Sequence, residues 1–269
     1  MSLRQLQWHA VEKVWGRRDF PTIFGDRETY DEPLGEVWYE DENAKQLLVK
    51  YLFTSDKLSI QVHPSDEEAQ AAGYSNGKTE AWYVLSAEPG ATIGAGFDHE
   101  LTSEQLRAAS LDGSIEELMT WHEVKPGDFF YVPAGTVHAI GAGVSLVEIQ
   151  QNVDLTYRLY DYGRPRELHL DEGVPVSRPQ PFVNTEPQPL GPTRELLVDG
   201  PKFSIERLTG GASETLAASE RNPVWLMPTS DGCSAAGEHL PGGTVWLADE
   251  RVKANLGPDD TMLIAYAAS

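Results

Sequence analysis

The chain has 269 residues, 40% hydrophobic and 23% charged, with a formal net charge of −21 at pH 7. That acidity excludes nucleic acid and anionic membrane surfaces as partners, because both need a broad basic patch, yet it leaves room for a small anion held by a few local cations. The single cysteine, Cys233, excludes an internal disulfide and any zinc site built from several cysteines, and it fits a reducing compartment.

The opening MSLRQLQWHAVEKVWGRRDF has no apolar core of the secretory kind, and no run in the chain is long enough to span a bilayer. A cytoplasmic protein is expected. The first strand-like run is QLLVKYLF, which contains Lys50. In LSIQVHP, alternation places Ser59, Gln61 and His63 on one face before Pro64 ends the run. PSDEEAQAAG then reads as a short helix. Ser65 is its N-cap, Glu68 the capping-box partner and Gly73 the stop, with Asp66, Glu67 and Glu68 as a solvated first turn favoured by the dipole. NGKTEAWYVL follows, and Lys78 and Glu80 project to the same side of an extended chain.

LTSEQLRAAS repeats the helix signal with Thr102 and Gln105, and GSIEELMTW with Ser114 and Glu117. In GDFFYVPAGTVHAI, Gly127 turns the chain into a strand, Pro133 and Gly135 break it, and His138 begins the next; SLVEIQ adds a strand carrying Glu148. Residues 171 to 193 are rich in Pro and poor in large apolar side chains, which predicts a linker or a long crossing loop. The strands KFSIERL, VWLM, TVWLA and TMLIAYA then make a smaller unit. The expected fold is all-β, two jelly-roll units with a few short helices, divided into residues 1–175 and 176–269.

The stretch GDFFYVPAGTVHAI resembles the second cupin motif, G-x5-P-x-G-x2-H, at every fixed position. A cupin is a small jelly-roll barrel that holds a metal inside, so the resemblance implies that the hairpin carries His138 into the barrel, where a neutral ring nitrogen binds a metal. The first motif is altered. Gln61 stands where a histidine is expected, His63 follows, and the carboxylate comes late, at Glu80. Gln61, His63, Glu80 and His138 would offer two nitrogen and two oxygen donors, a set that suits zinc and leaves manganese, iron and nickel open.

Together, LSIQVHP, GKTEAWYVL, VPAGTVHAI, EIQQNVDLTYRLYDYGR and RELHLD resemble the type I phosphomannose isomerases, or mannose-6-phosphate isomerases, in their short bacterial form. VWGRRDF and LGEVWYE look like that family's opening segments. The resemblance runs from about residue 11 to 170 and weakens through the last third. It implies one zinc per chain on Gln61, His63, Glu80 and His138. It also implies an active site that includes Lys50, Ser59, Lys78, Glu148 and Arg158. Lys50, Lys78 and Arg158 are three cations in an acidic protein, as an anionic sugar phosphate requires.

The implied reaction interconverts mannose 6-phosphate and fructose 6-phosphate through a cis-enediolate. Lys78, with a depressed pKa, or Glu148, with a raised one, is the general base, and Arg158 holds the phosphate or polarises a substrate oxygen. On this reading Lys78, Glu148 and Arg158 are catalytic, and Lys50, Ser59, Lys78 and Arg158 bind substrate. The competing readings are a metal-dependent cupin oxygenase and a non-catalytic metal-binding cupin. The protein is expected to be a monomer or homodimer. Trp8, Trp15, Trp38, Trp82 and Tyr83 are assigned to the core, and His9, His99, His122, His169 and His239 to surface or capping positions. Asp161 and Arg164 are assigned to ordering a loop or to a structural salt bridge.

Overall fold

The computed structural model describes residues 3–25, 28, 30–42, 44–219 and 222–268. Among the described residues, four antiparallel sheets and four short α-helices stack in layers. The central six-stranded sheet runs in the order Gln7–Arg17, Leu34–Glu40, Leu47–Phe53, Val144–Gln151, Glu80–Ala87, Phe129–Val132. Facing it is a five-stranded sheet, Tyr157–Tyr160, Ile60–Val62, His138–Ile140, Thr92–Phe97, Met119–Glu123. The last third of the chain builds a seven-stranded and a four-stranded sheet. Leu3–Gln5 pairs with Trp246–Ala248, so the first described residues complete the seven-stranded sheet.

Strand alternation explains the layering. One face of the central sheet offers Leu52, Trp82, Val84 and Leu146 to Ile93 and Ile140 of the five-stranded sheet. The opposite face offers Tyr39, Val49, Tyr51, Tyr83 and Val147 to Phe203, Trp225 and Leu263 of the seven-stranded sheet. Outside the five-stranded sheet, Ile60, Val62 and Phe97 are covered by helix residues Leu106, Ala109 and Val174. The all-β expectation with a few short helices is met. No helix among the described residues is long and apolar enough to cross a membrane.

The capping boxes at Ser65/Glu68 and Thr102/Gln105 form as read, starting the helices Asp66–Ala71 and Ser103–Asp112. The third does not. Ser114 sits in right-handed helical backbone ahead of the helix Ile115–Leu118, and its hydroxyl donates to Asp112 instead of capping. A serine already in helical conformation does not aim its oxygen at the first free N–H groups. The segment 171–193 is not all loop. Leu170–Val176 is a helix that carries Pro175, and the chain beyond it lies along the barrel, with Phe97 N–H donating to the Gln180 carbonyl.

The turns that follow the metal-motif strands are stitched together by main chain. Gly135 N–H donates to the His63 carbonyl at 2.8 Å and Lys78 N–H to the Pro64 carbonyl at 3.1 Å. The second contact needs Gly77. A Cβ there would lie 2.4 Å from both the Pro64 oxygen and the Ser65 carbonyl carbon, and backbone does not yield cheaply. Gly77→Ala is therefore expected to cost about 1–3 kcal/mol through overpacking. Urea unfolding should show a lower midpoint with an unchanged m-value, and an unshifted midpoint would mean that the two turns separate freely.

Candidate metal centre

His138 and Gln61 stand directly opposite each other on adjacent antiparallel strands. His63 lies one residue beyond its strand end, and Glu80 opens the neighbouring wall of the barrel. Both histidines and the glutamate are buried. His63 Nε2 is 3.1 Å from Glu80 Oε1, His138 Nε2 is 3.6 Å from Glu80 Oε2, and Gln61 Nε2 is 3.3 Å from His138 Nε2. These spacings bracket about 3.4 Å, the edge of a tetrahedron with bonds of about 2.1 Å.

The two imidazoles are fixed from behind. His63 Nδ1 lies 2.8 Å from the Leu155 carbonyl and His138 Nδ1 2.9 Å from the Thr136 carbonyl. A carbonyl only accepts, so each Nδ1 carries the proton and each Nε2 presents a lone pair to the cluster, the arrangement found behind metal-bound histidines. His63 Nε2 and both Glu80 oxygens are buried with no hydrogen bond of good geometry among the described residues. Lys78 Nζ does reach Glu80 Oε1 at 2.8 Å, which is a charge contact rather than a directed bond. Orphaned buried acceptors are costly, and a cation among them satisfies all three. The His63–Glu80–His138 group thus fits a bound metal ion.

Burial, followed by the Lys78 charge, pushes the His63 pKa down to about 3. Burial also lowers that of His138, against the pull of Glu80 and the Thr136 carbonyl. His63 is therefore neutral well below neutral pH, and His138 is shifted towards the same neutral form, as ligands must be. For Glu80, burial opposes ionisation, but the Lys78 charge outweighs it and holds the carboxyl well below its usual range.

Lys50, Ser59, Gln61, Lys78, Glu148 and Arg158 all line one cavity of about 280 Å³. Lys50 Nζ is 3.4 Å from Glu148 Oε1, and Trp82 Nε1 donates to Glu148 Oε2 at 3.1 Å. Burial, then repulsion from Glu80, raises the Glu148 pKa despite Lys50 and Lys78. Lys78 differs from the expectation of a depressed pKa. Burial does favour its neutral form, but Glu80 and Glu148 outweigh it and the pKa is raised. Arg158 pairs across strands with Gln61, and its Nε is buried without a partner among the described residues.

Several lining groups escaped the sequence reading. Trp38, assigned to the core, lies under Lys50 Nζ at 4.1 Å from its ring centroid and donates its indole N–H to Glu36 at 2.5 Å. Glu36 also faces Lys13 at 3.5 Å and Lys50 at 3.8 Å. Arg164 Nε pairs with Asp161 Oδ1 at 3.4 Å, as assigned, and Arg166, which the sequence did not mark, grips both oxygens of Asp161. His169 Nδ1 accepts the Arg158 backbone N–H at 3.1 Å. The spacing of Trp38 two residues after Glu36 was the only local signal, and it does not distinguish a cavity wall from core. A larger cavity of about 700 Å³, lined by Arg17, Phe20, Tyr51 and Tyr83, lies on the opposite face of the central sheet and holds none of the donor residues. Volume alone does not locate the chemistry here; the orphaned acceptors do.

No family model matches the chain. It is 41% identical over 191 residues to the mannose-6-phosphate isomerase of Streptococcus mutans, which is 64% of this chain and 60% of that protein. It is 47% identical over 137 residues to the mannose-6-phosphate isomerase ManA of Bacillus subtilis, 48% of this chain and 43% of the relative. The matched stretch thus spans about half the length of these curated relatives. In fold, the likeness to the crystal structure of the mannose 6-phosphate isomerase from Bacillus subtilis covers 98% of this chain and 99% of that one, with a TM-score of 0.81 and 25% identity. The resemblance to the phosphomannose isomerases is borne out. In fold the likeness extends over nearly the whole chain.

The raised pKa of buried Glu148 has a sign that stability measurements can read. The folded state keeps the proton where an unfolded carboxyl, near 4.5, has lost it. The group's contribution is full below about 4.5 and is lost as pH rises through the folded value. In metal-stripped protein Glu148→Gln is expected to melt higher than the parent at pH 8, with the gap closing towards pH 4. A variant that melts lower than the parent at pH 8 would show the carboxylate to be a net stabiliser.

Proposed function

We propose that this chain is a zinc-dependent aldose–ketose isomerase that interconverts mannose 6-phosphate and fructose 6-phosphate. The observation that carries the reading is the pair of Nδ1-anchored imidazoles whose Nε2 lone pairs converge on Glu80, beside a cavity walled by Lys50, Lys78 and Arg158. Gln61 completes the set as fourth donor. Turning its amide by 180°, an exchange of O and N, brings Oε1 to the position beside His138 while Ser59 keeps a partner. The bound ion supplies Lewis-acid stabilisation of the negative charge that develops on the substrate oxygens.

The remaining steps belong to the chain's own side chains. Glu148, buried and with its pKa raised by that burial, moves the proton between the first and second sugar carbons. Lys50 and the Trp82 N–H hold its two oxygens in place. Lys78 remains protonated and donates to the developing oxyanion. Arg158 binds the phosphate, supported by His169 on its main chain. Lys50 and Ser59 position the sugar hydroxyls. The catalytic unit is residues 1–175 and the supporting unit residues 176–269. With its one cysteine buried and a soluble sugar phosphate as substrate, the enzyme works in the cytoplasm as a monomer or homodimer.

A coupled assay with mannose 6-phosphate, before and after chelation, tests the reading. Turnover should disappear with the metal and return on adding Zn²⁺, and chelation-resistant turnover or none at all would reject it. Arg158→Ala should lose about 100-fold in kcat/KM, the worth of one or two charge-assisted hydrogen bonds, while elemental analysis still finds the metal. Glu80→Ala should lose the metal itself, and a fully loaded Glu80→Ala protein would remove that residue from the ligand set.

A further inference from the structure

We propose that Lys202, from the part of the chain where sequence resemblance fades, is a positioning residue for the metal centre and for Lys78, acting through Asp66. Lys202 Nζ reaches Asp66 Oδ2 at 2.5 Å. The other oxygen, Oδ1, accepts from the Gly77 N–H at 2.8 Å and from Gln151 Nε2 at 2.9 Å. Gln151 Oε1 in turn accepts the Thr79 N–H at 3.0 Å. With Lys78 N–H bound to the Pro64 carbonyl, three successive amides, 77, 78 and 79, are held just ahead of Glu80. Asp66 itself lies three residues after His63, so one carboxylate ties together the turns that carry two metal donors and a cavity lysine.

The turn that delivers Lys202 is seated on the same scaffold. Gly200 approaches so closely that a Cβ would lie 2.6 Å from the Tyr131 hydroxyl oxygen. Phe203 packs edge-on against the Tyr131 ring at 5.9 Å. Tyr131 is in the strand that leads through Pro133 and Gly135 to His138. Asp66 therefore does not act as the solvated helix start that its position suggested. Lys202 lines no part of the reaction cavity, so its influence must pass through geometry. A half-exposed ion pair of this kind contributes little to stability, whereas outer partners of metal ligands commonly cost tenfold or more in affinity or rate when removed. The kinetic part of this inference rests on the isomerase reading; the metal-affinity part does not.

The test uses the full chain, with Zn²⁺ titrated against a competing chelator and mannose 6-phosphate turnover measured in parallel. In Lys202→Met, zinc affinity and kcat should each fall about tenfold, with KM changed less than twofold. Lys202→Arg should restore both. Asp66→Asn keeps the oxygen used by Gly77 and Gln151 but loses the ion pair. It should match Lys202→Met, and the double variant should be no worse than either single one. Wild-type zinc affinity and kcat in Lys202→Met, a failed rescue by arginine, or additive losses would each overturn the proposal. If the parent protein shows no isomerase activity, the proposed function falls while zinc affinity still decides the role of Lys202.

Discussion

The structure is organised around a carboxylate that the fold buries without giving it a proper hydrogen-bond donor. Glu80 is fully buried, has neither oxygen well bonded among the described residues, and remains ionised because the Lys78 ammonium lies 2.8 Å from it. A buried charge with only one ion-pair partner and no well-directed hydrogen bond is costly; an ion bound among these donors would offset that cost. Much of the surrounding architecture can be traced to keeping Glu80, His63 and His138 in register. Carbonyls at Leu155 and Thr136 set the tautomers, and the Gly135-to-His63 and Lys78-to-Pro64 bonds lock the turns.

The central sheet lets a single set of strands serve two purposes. Lys50 and Glu148 line the cavity and Trp82 donates to Glu148 on the same face, while their neighbours Tyr51, Tyr83 and Val147 pack against the seven-stranded sheet. The cavity wall and the apolar face that anchors the last third of the chain are therefore consecutive residues. A one-residue slip in these strands would exchange the two faces, so the apolar packing behind the sheet also enforces the positions of the groups that line the cavity. The charged groups within the cavity are coupled in the same way. Lys50 is shared between Glu36 and Glu148, and Trp38 supports it from below.

Local signals were legible wherever the physics is local. Strand runs such as QLLVKYLF and SLVEIQ, two of three capping boxes, and the hairpin placing His138 depend on alternation, propensity and turn residues within about ten positions. Ser114 failed because a cap requires an extended backbone that the preceding turn denies it. Lys13, Glu36, Arg166 and Lys202 were not legible, because a charged side chain on a strand or turn carries no mark of what stands opposite. The pKa of Lys78 was misjudged for the same reason. Its sign is set by Glu80, only two residues on, together with Glu148, whose approach no pattern around Lys78 shows.

By itself, then, the order of residues determined that this is a layered β protein and which donors are chemically able to meet, since side-chain type, alternation and turn chemistry are properties of short stretches. Only the tertiary structure decided that the last third reaches back to Asp66, that Trp38 lines the cavity, and that both Glu80 oxygens lack a hydrogen bond of good geometry among the described residues. Those facts depend on which strands become neighbours. Strand neighbours are chosen by the packing of whole sheets, a long-range balance that no short segment contains.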